Sequence, residues 1–248
     1  AANGTYQMVV GQGSASTNNG LVIGFRGSNQ FTLAFWNNDV DSNTLITDFN
    51  WHHWAVTYDA ASKTQRIYLD GNLDATRVTT SDYQGSGFLY IGQDFYGNNR
   101  FNGNIDELCI WNTVRTAEQI NGSKNCELAG NETGLVAYYN FNQGIDAANN
   151  STITSLTDAT ANANNGTLTN FALTGTTSNW LAGSPVTTGS IVPSVATVTT
   201  PVVNYQGDTA NPLTATVGAN GTGLLWYTTA TGGTGSTTAP TPSTATVG

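Results

Sequence analysis

The sequence predicts an all-β fold, a two-sheet antiparallel sandwich, from three observations. Charged residues make up only 9% of the 248 residues, whereas glycine alone contributes 28. A chain rich in Gly, Thr, Ser and Asn favours strands and turns over helices. Short runs of β-branched and aromatic residues alternate with clusters of Gly, Asn and Asp, and about eight such runs in the first half suffice for two packed sheets.

The expected elements follow one another at short intervals. The predicted strands are Tyr6–Val10, Leu21–Arg26, Phe31–Trp36, Leu45–Asp48, His52–Tyr58, Gln65–Leu69, Phe88–Ile91 and Ile105–Trp111. One helix is expected after them, because Thr116 can act as its N-cap, Gln119 occupies the capping-box position and Gly122 can end it.

The distribution of basic residues predicts separate modules. All seven Lys and Arg lie at or before Lys124. We expect a sandwich over residues 1–124 and an extension over 125–183. Residues 143–183 are too polar for a core of their own, so the strand within Gly134–Asn142 is expected to dock on the sandwich rather than to begin a second copy. A linker over 184–200 and a partial β unit over 201–248 follow.

Charge and hydropathy exclude two classes of function. A net charge of −9 and a pI near 4.3 argue against a nucleic-acid surface, because neutralising phosphates requires clustered Lys and Arg. No apolar run is long enough to cross a bilayer, so no membrane insertion is expected within this chain. The first residues lack a signal-peptide pattern, and we interpret the chain as a fragment of a longer polypeptide.

Three motifs carry a family resemblance. They are Trp51-His-His-Trp-Ala-Val-Thr-Tyr-Asp59, Gln65-Arg-Ile-Tyr-Leu-Asp-Gly71 and the run from Gly87 to Trp111, which contains Phe101-Asn-Gly-Asn-Ile-Asp-Glu107. In this order they resemble the laminin G-like and pentraxin-like branch of the concanavalin A-like jelly rolls. The resemblance covers roughly residues 5–123 and implies a jelly-roll sandwich. Since the opening strands of the family are not found before Tyr6, the sandwich is expected to be truncated at its N-terminal end.

The last part of the chain carries a second resemblance. Gly223-Leu-Leu-Trp-Tyr-Thr-Thr-Ala-Thr-Gly-Gly233 resembles a recurring phrase in the tandem immunoglobulin-like repeats of Bacteroidetes surface adhesins. The resemblance implies a partial immunoglobulin-like unit in which Trp226 is the buried tryptophan. Asn204 stands where this family usually has cysteine.

The polar loop inside the Gly87–Trp111 run has the composition of a sugar-binding site. Pyranose rings stack on aromatic faces while their hydroxyls need directed polar partners. The candidate ligand-binding residues are Phe95, Tyr96, Asn98, Asn99 and Arg100, with Trp36 and Asn37 as a neighbouring wall. Ordinary loop packing of these residues is the open alternative.

The resemblance to pentraxin-like sequences implies calcium as a cofactor. Asp94 stands where these sequences place acidic calcium ligands, with Gln93 beside it. Asp106 is the second candidate, and Asn142 would assist it if its strand docks. Calcium binds six to eight oxygens from flexible loops. The alternative for Asp94 is that it accepts N–H bonds within a turn. Asp39-Val-Asp-Ser-Asn43 is expected to be a polar hairpin tip rather than a metal site.

Cys109 and Cys126 are the only cysteines. A disulfide between them would contribute on the order of 3 kcal/mol and would fit an exported protein. The alternative is two separate small hydrophobic residues.

No catalytic pattern is found in the sequence. Asp106 and Glu107 are neighbours and would point to opposite faces of a strand, whereas a glycosidase needs two carboxylates that face each other across the bond. We therefore expect no enzyme. The predicted function is a non-catalytic, exported module of an adhesin-like surface protein that binds a glycan or another cell-surface partner. Two alternatives stay open, a structural spacer in a large surface protein and an accessory module of a polysaccharide-degrading enzyme.

Overall fold

The computed structural model describes residues 4–191, 196–198, 202–218, 221, 223–229 and 234–246. They belong to two units, Ala1–Ser190 and Ile191–Gly248. The strands of the first unit are, in chain order, β1 (Gln7–Gly13), β2 (Gly20–Phe25), β3 (Gln30–Ala34), β4 (Asp39–Leu45), β5 (Trp54–Asp59), β6 (Thr64–Leu69), β7 (Asn72–Val78), β8 (Leu89–Ile91), β9 (Leu108–Trp111), β10 (Leu135–Tyr139), β11 (Ser155–Leu156) and β12 (Gly166–Thr167).

Two antiparallel sheets form the sandwich. The larger sheet has the strand order β4-β3-β2-β1-β8, and the smaller has the order β5-β6-β7. Each neighbouring pair within them is antiparallel. The prediction of an all-β, two-sheet antiparallel sandwich is confirmed.

The core lies between the two sheets. Phe25, Phe31 and Leu33 of the larger sheet pack in one cluster with Ile67 of the smaller sheet. The ring of Trp54 stacks on Phe31 at 4.2 Å between centroids. Each large apolar side chain removed from water in this way contributes about 1.5–3 kcal/mol. Successive side chains of a strand alternate between faces, so the residues between these core positions lie on the outer face of the larger sheet, the face turned away from the smaller sheet.

One strand lies where the sequence predicted a turn. Asp39–Leu45 is strand β4, so the prediction of a hairpin tip at Asp39–Asn43 is wrong, and so is the prediction of a strand over Leu45–Asp48. The physical reason is charge pairing on the outer face. The Arg26 guanidinium contacts Asp39 at 3.0 Å and Asp41 at 2.5 Å, while Val40 is buried in the core. Strand β7 was not predicted, because most of its residues are polar and it shows no clear alternation of apolar and polar side chains.

A second strand pair and one helix follow the sandwich. Strand β10 pairs antiparallel with β9, and β11 pairs with β12. Helix α1 (Ala117–Ser123) begins after the N-cap Thr116, whose backbone N–H and side chain exchange hydrogen bonds with Gln119. The predicted helix and its capping box are confirmed, whereas the expectation that Gly122 ends the helix is wrong, since α1 continues to Ser123 and has Lys124 as its C-cap.

In the described residues of the second unit, two short strands, β13 (Thr197–Val198) and β14 (Ala215–Thr216), pair with each other. Trp226 forms an isolated bridge with Ser236 and is half-buried. The prediction that Trp226 is a buried core tryptophan is therefore wrong. The end of the adhesin-like phrase, residues 230–233, lies outside the described residues. Within the described part of the chain, no helix has the length and apolar character needed to cross a membrane.

Candidate functional site

The loop between β8 and β9 folds back over the outer face of the larger sheet. We call residues 92–101 the 92–101 loop. Its two ends are fixed to strand β1, since the Gly92 N–H donates to the Val9 carbonyl at 2.7 Å and the Met8 N–H donates to the Asn99 carbonyl at 2.7 Å. The loop is therefore anchored by strand-like hydrogen bonds on both sides of its tip.

Asp94 organises the tip of the loop. Its Oδ1 accepts the backbone N–H groups of Tyr96 at 3.0 Å and Asn98 at 2.8 Å, and its Oδ2 accepts the Asn99 side-chain amide at 2.7 Å. Asp94 is only 5% exposed. A carboxylate that accepts N–H bonds two and four residues ahead is a turn-forming arrangement. The loop conformation thus follows from hydrogen bonds within the chain.

Gly11 allows the loop to lie this close to the sheet. A Cβ atom at Gly11 would lie 2.7 Å from the Cα of Asp94 and 2.7 Å from the backbone nitrogen of Phe95. These are backbone atoms, which cannot move aside without moving the loop. Only glycine fits the closest approach between β1 and the loop.

Three aromatic rings lie in contact on this face. Phe95 meets Trp36 at 5.6 Å between centroids, with the ring planes at 60°, and it meets Tyr96 at 4.7 Å. Phe95 also packs on a small apolar cluster of outer-face side chains, Met8, Val22 and Ala34. Phe95 therefore supports the other two rings, while Tyr96 is 60% exposed and offers its ring to solvent.

Trp36 occupies an unusual backbone position. Strands β3 and β4 are joined by a tight turn in which the Phe35 N–H donates to the Asn38 carbonyl at 3.3 Å. Its two central residues, Trp36 and Asn37, have φ values of +56° and +64°. Positive φ is common for Asn but costs a bulky residue on the order of 1–3 kcal/mol. The turn holds the indole against Phe95 at the expense of this strain.

These elements enclose a cleft of about 410 Å³. Its floor is apolar and its rim is aromatic and polar. The cleft is lined by Tyr6, Met8, Val22, Arg26, Ala34, Trp36, Asn37, Asp39, Asp94, Tyr96, Asn98 and Asn99.

Charged groups in the cleft are already paired. Arg26 donates through Nη2 to Asp39 at 3.0 Å and through Nε to Asp41 at 2.5 Å. Burial alone would lower the pKa of Arg26, but the hydrogen bonds and charges of the two aspartates outweigh it and raise that pKa. The guanidinium therefore stays protonated and fixed at one end of the cleft.

The structure brings together five of the seven predicted ligand-binding residues as cleft lining, namely Trp36, Asn37, Tyr96, Asn98 and Asn99. Phe95 lies beneath them. Arg100 is exposed and bridges to Met8, and it is not part of the lining.

Sequence reasoning missed six lining residues, namely Tyr6, Met8, Val22, Arg26, Ala34 and Asp39. The pattern that could have identified some of them is the alternation of successive strand side chains between the two faces of a sheet. Val22 in β2 and Arg26, directly after β2, are four positions apart and so share one face of the sheet. Ala34 in β3 and Trp36, two residues later, share a face of the neighbouring strand in the same way.

The predicted calcium ligands lie in two different places. Asp94 and the half-buried Gln93 belong to the 92–101 loop, whereas Asn142 donates to Glu127 at 2.5 Å, and Asp106 interacts electrostatically with the same Glu127. Both oxygens of Asp94 already accept N–H bonds, which does not fit an open calcium ligand. Among the described residues no group of three or more His, Cys, Asp or Glu is arranged to hold a metal ion. Calcium binding stays a prediction.

Asp106, Glu107 and Glu127 form what we call the acidic cluster. Burial, and then the charges of Asp106 and Glu127, raise the pKa of Glu107 to about 7, against the lowering effect of the Tyr138 hydroxyl that donates to it. Burial also raises the pKa of Asp106. Glu127 accepts the Gly189 N–H at 2.6 Å through its second oxygen. Glu107 has a φ of +53°, so the expectation that Asp106 and Glu107 point to opposite faces of a regular strand is wrong.

The predicted disulfide is not formed. Cys109 and Cys126 are both free and half-buried. Cys109 lies opposite Tyr138 in the β9–β10 ladder, whereas Cys126 lies in the turn after α1, where its N–H donates to the Ser123 carbonyl at 3.1 Å. Burial raises the pKa of the Cys109 thiol, which keeps it protonated. The alternative of two separate small hydrophobic residues describes them better.

A second cavity, of about 560 Å³, lies in the second unit and is lined by apolar and threonine side chains that include Leu213, Leu224 and Trp226. Among the described residues of the second unit, no charged or amide side chain lines it. We therefore place the candidate site in the cleft of the first unit.

Comparison with known proteins finds a family profile that matches the first half of the chain. Residues 1–121 match the Laminin_G_3 profile of the concanavalin A-like lectin/glucanases superfamily. The rat protein "Sushi, von Willebrand factor type A, EGF and pentraxin domain-containing protein 1" is 27% identical over 111 residues, which are 40% of this chain and 3% of that protein. The chain thus spans a small part of this relative.

One solved structure supports the fold. A candidate carbohydrate-binding protein from Bacteroides ovatus superposes with a TM-score of 0.52 at 18% sequence identity, over 66% of this chain and 49% of that chain. This likeness concerns the fold alone. An S-layer domain-containing protein from Clostridium thermocellum aligns with a TM-score of 0.26 at 21% identity, over 46% of this chain and 60% of that chain, which is too low to indicate a shared fold. The predicted jelly-roll fold is confirmed by the profile and the Bacteroides structure.

Proposed function

We propose, from the premise that residues 1–121 form a concanavalin A-like lectin/glucanase domain, that this chain binds a glycan in the cleft without cleaving it. The observation that carries the proposal is the lining of the cleft. Exposed aromatic faces lie beside amide groups and an ion-paired arginine over an apolar floor. Sugars need this combination, since one ring face is apolar and the hydroxyls are polar.

The rings and amides have distinct roles in this proposal. Trp36 and Tyr96 provide faces on which a pyranose ring stacks. Asn37 and Asn98 are exposed at the rim and supply donors and acceptors for hydroxyls. The hydrogen bonds of Asp94 fix the loop before the ligand arrives, so little conformational entropy is lost on binding.

The partners of the lining carboxylates support binding without catalysis. Asp39 is paired with Arg26, and Asp94 accepts N–H bonds from its own loop. A glycosidase needs one carboxyl group as a proton donor and a second facing it across the scissile bond. Neither of these groups is free for such a role.

The wider context of the proposal is an exported surface protein. The matched rat protein and the candidate carbohydrate-binding Bacteroides protein motivate a glycan or cell-surface partner, and the adhesin-like phrase around Trp226 motivates an immunoglobulin-like spacer in the second unit. In this arrangement the first unit binds, and the second unit holds it at a distance from its attachment point.

A glycan array probed with the intact chain, in added calcium and in chelator, tests the proposal. We expect binding to a restricted set of glycans in both conditions, because the loop is fixed by Asp94 rather than by an ion. Loss of binding in chelator would instead support calcium in the loop. No binding in either condition would leave the spacer role.

A matched pair of variants ties the binding to the cleft. Tyr96→Ala is expected to weaken binding by about tenfold or more, since a stacked ring contributes on the order of 1–3 kcal/mol. Tyr205→Ala removes a tyrosine that is 78% exposed in the second unit and should leave binding unchanged. Equal affinities for the two variants would place the glycan elsewhere.

A further inference from the structure

We infer, resting on the proposed function, that the cleft selects uncharged glycans and discriminates against those that carry carboxylate or sulfate groups. The feature responsible is the set of three side chains Arg26, Asp39 and Asp41, which we call the charged triad.

Arg26 is the only basic residue in the lining of the cleft, and the N–H of its Nε and one N–H of its Nη2 are occupied by the protein itself. Its Nε and Nη2 donate to Asp41 and Asp39 at 2.5 and 3.0 Å. Recognition of a carboxylate or sulfate by arginine depends on the paired fork of N–H groups, which gives two parallel hydrogen bonds. Here the two aspartates of the protein already occupy the Nε–Nη2 fork, and their two carboxylates more than balance the single charge of the guanidinium.

The neighbouring carboxylates oppose a second anion. Asp39 and Asp94 both line the cleft, and Asp41 is in contact with the same arginine. An acidic sugar would therefore enter next to fixed negative charges in a partly desolvated site, where repulsion between like charges is stronger than in water.

Two other arginines lie in this region, and neither is placed to receive an anion in the cleft. Arg77 donates from β7 to the backbone carbonyl of Asp39, and Arg100 is exposed and outside the lining. Both contribute to the longer-range potential, which salt screens within about 10 Å. They provide no direct hydrogen bond to a bound sugar.

The charged triad fits neutral hydroxyls. Of the five N–H donors of a guanidinium, two are used, so donors remain next to carboxylate oxygens that can accept. Asp39 is held further by the Asn38 N–H, which donates to its Oδ1 at 3.0 Å. A fixed donor beside a fixed acceptor matches two adjacent hydroxyl groups of one sugar ring, each of which can donate and accept.

Charge-matched glycans test this inference on the intact chain. The probes are methyl-esterified and de-esterified homogalacturonan, together with laminarin, xylan and mannan and their sulfated derivatives. For whichever backbone binds, we expect the uncharged form to bind at least about tenfold more tightly than the acidic form at physiological salt, the size of one or two lost charge-assisted hydrogen bonds. Equal or tighter binding of the acidic form would overturn the inference while leaving glycan binding intact. Failure of every probe and of the wider array would overturn the proposed function itself, and the inference with it.

Substitutions in the charged triad test whether it causes the preference for uncharged glycans. Asp39→Asn with Asp41→Asn frees the guanidinium, and we expect the preference for the uncharged form to shrink by about tenfold. Asp41→Asn alone is the milder variant if the double variant does not fold, because Asp41 is not in the lining. Asp82→Asn is the matched control, since it removes a carboxylate from an ion pair outside the cleft, that with Lys63 at 2.9 Å. An unchanged preference in the folded Asp41→Asn variant would overturn the role of the triad.

Discussion

The cleft and the acidic cluster both gather carboxylates, but they differ in how those charges are compensated. In the cleft, Asp39 is paired with a guanidinium and Asp94 accepts three N–H bonds. In the acidic cluster, burial and the neighbouring charge of Glu127 raise the pKa of Asp106 and of Glu107, and the pKa of Glu107 reaches about 7.

The difference separates two kinds of behaviour within one unit. A carboxylate that is fixed by a guanidinium or by N–H donors keeps its surroundings rigid, which suits a preformed binding site. In the acidic cluster, which has no cation, Glu107 exchanges a proton near neutral pH, so it affects folding stability instead. Ligand binding and the pH dependence of stability should therefore respond to different substitutions.

The largest effect is expected at Trp36. Replacing it with Asn, which tolerates a positive φ, should weaken glycan binding by more than about tenfold because a stacking face is lost. The free energy of unfolding should change by less than about 1 kcal/mol, since relief of backbone strain offsets the lost contact with Phe95. Isothermal titration and thermal melting measure the two quantities.

Trp51→Asn is the matched control, because Trp51 is 38% exposed and lies outside the cleft. It should leave affinity unchanged. A Trp36→Asn variant that binds normally, or one that unfolds, would contradict the view of the cleft as a preformed site held by a strained turn.

Gly11→Ala is expected to have the next largest effect. The added methyl group would lie 2.7 Å from backbone atoms of the 92–101 loop, so the loop must shift. We expect affinity to fall several-fold and stability to fall by about 1–3 kcal/mol. Gly122→Ala, in α1 with nothing within 4 Å of the added atom, should instead raise stability by up to about 1 kcal/mol. Unchanged binding in Gly11→Ala would show that the loop position does not determine affinity.

Glu107→Gln examines the acidic cluster. The pKa of Glu107 is about 7 in the folded protein, above its ordinary value of 4.5. Between these two values the folded protein keeps a proton on Glu107 that the unfolded chain has lost. The free energy of unfolding therefore falls as pH rises through this range. Glutamine can still accept the Tyr138 hydroxyl and has no charge. The free energy of unfolding of the variant, compared with that of wild type, should be about 1–2 kcal/mol higher at pH 8 than at pH 5, after allowance for solvent screening.

Thermal melting in chelator across this pH range measures the effect, and glycan affinity is measured in parallel. Affinity should not change with the Glu107 substitution. A pH-dependent gain in affinity would mean that the cluster and the cleft are coupled and that the comparison fails.

The smallest effect is expected at His52, where a titratable cation compensates two carboxylates. Its ring nitrogens lie 3.0 Å from both Asp48 and Asp70. Burial lowers the pKa of His52, but the two carboxylates outweigh it and raise that pKa above its ordinary value of 6.5. The contribution to stability is therefore complete below about pH 6.5 and is lost as pH rises through the folded pKa.

His52→Gln should lower stability by a few tenths to about 1 kcal/mol at pH 5.5, with less effect at pH 8.5. Urea unfolding at the two pH values measures this. A larger loss at pH 8.5 would show that the neutral imidazole, rather than its charge, holds these residues.

Several elements of the fold followed from local patterns. The strands that contain Phe31, Trp54 and Ile67 were predicted because runs of β-branched and aromatic residues stand between clusters of Gly, Asn and Asp, and α1 was predicted because Thr116 and Gln119 form a capping box. The strand over Asp39–Leu45 could not be found in this way, since its acidic residues are typical of a turn. Only the structure shows that Arg26, which directly follows β2, pairs with them. The same is true of the cleft, where Tyr96 and Trp36 were predicted but Tyr6, Arg26 and Asp39 were not.

By itself, the sequence determined the all-β class, the order of most strands and the residue types suited to a sugar, because periodicity and composition are local properties. The tertiary structure alone decided which of those residues share one cleft, that Asp94 uses its oxygens within its own turn, and that Cys109 and Cys126 remain free. These outcomes depend on contacts between residues far apart in the chain. Hydrogen bonding, pairing of charges and burial are set by such neighbours, and no short stretch of sequence specifies them.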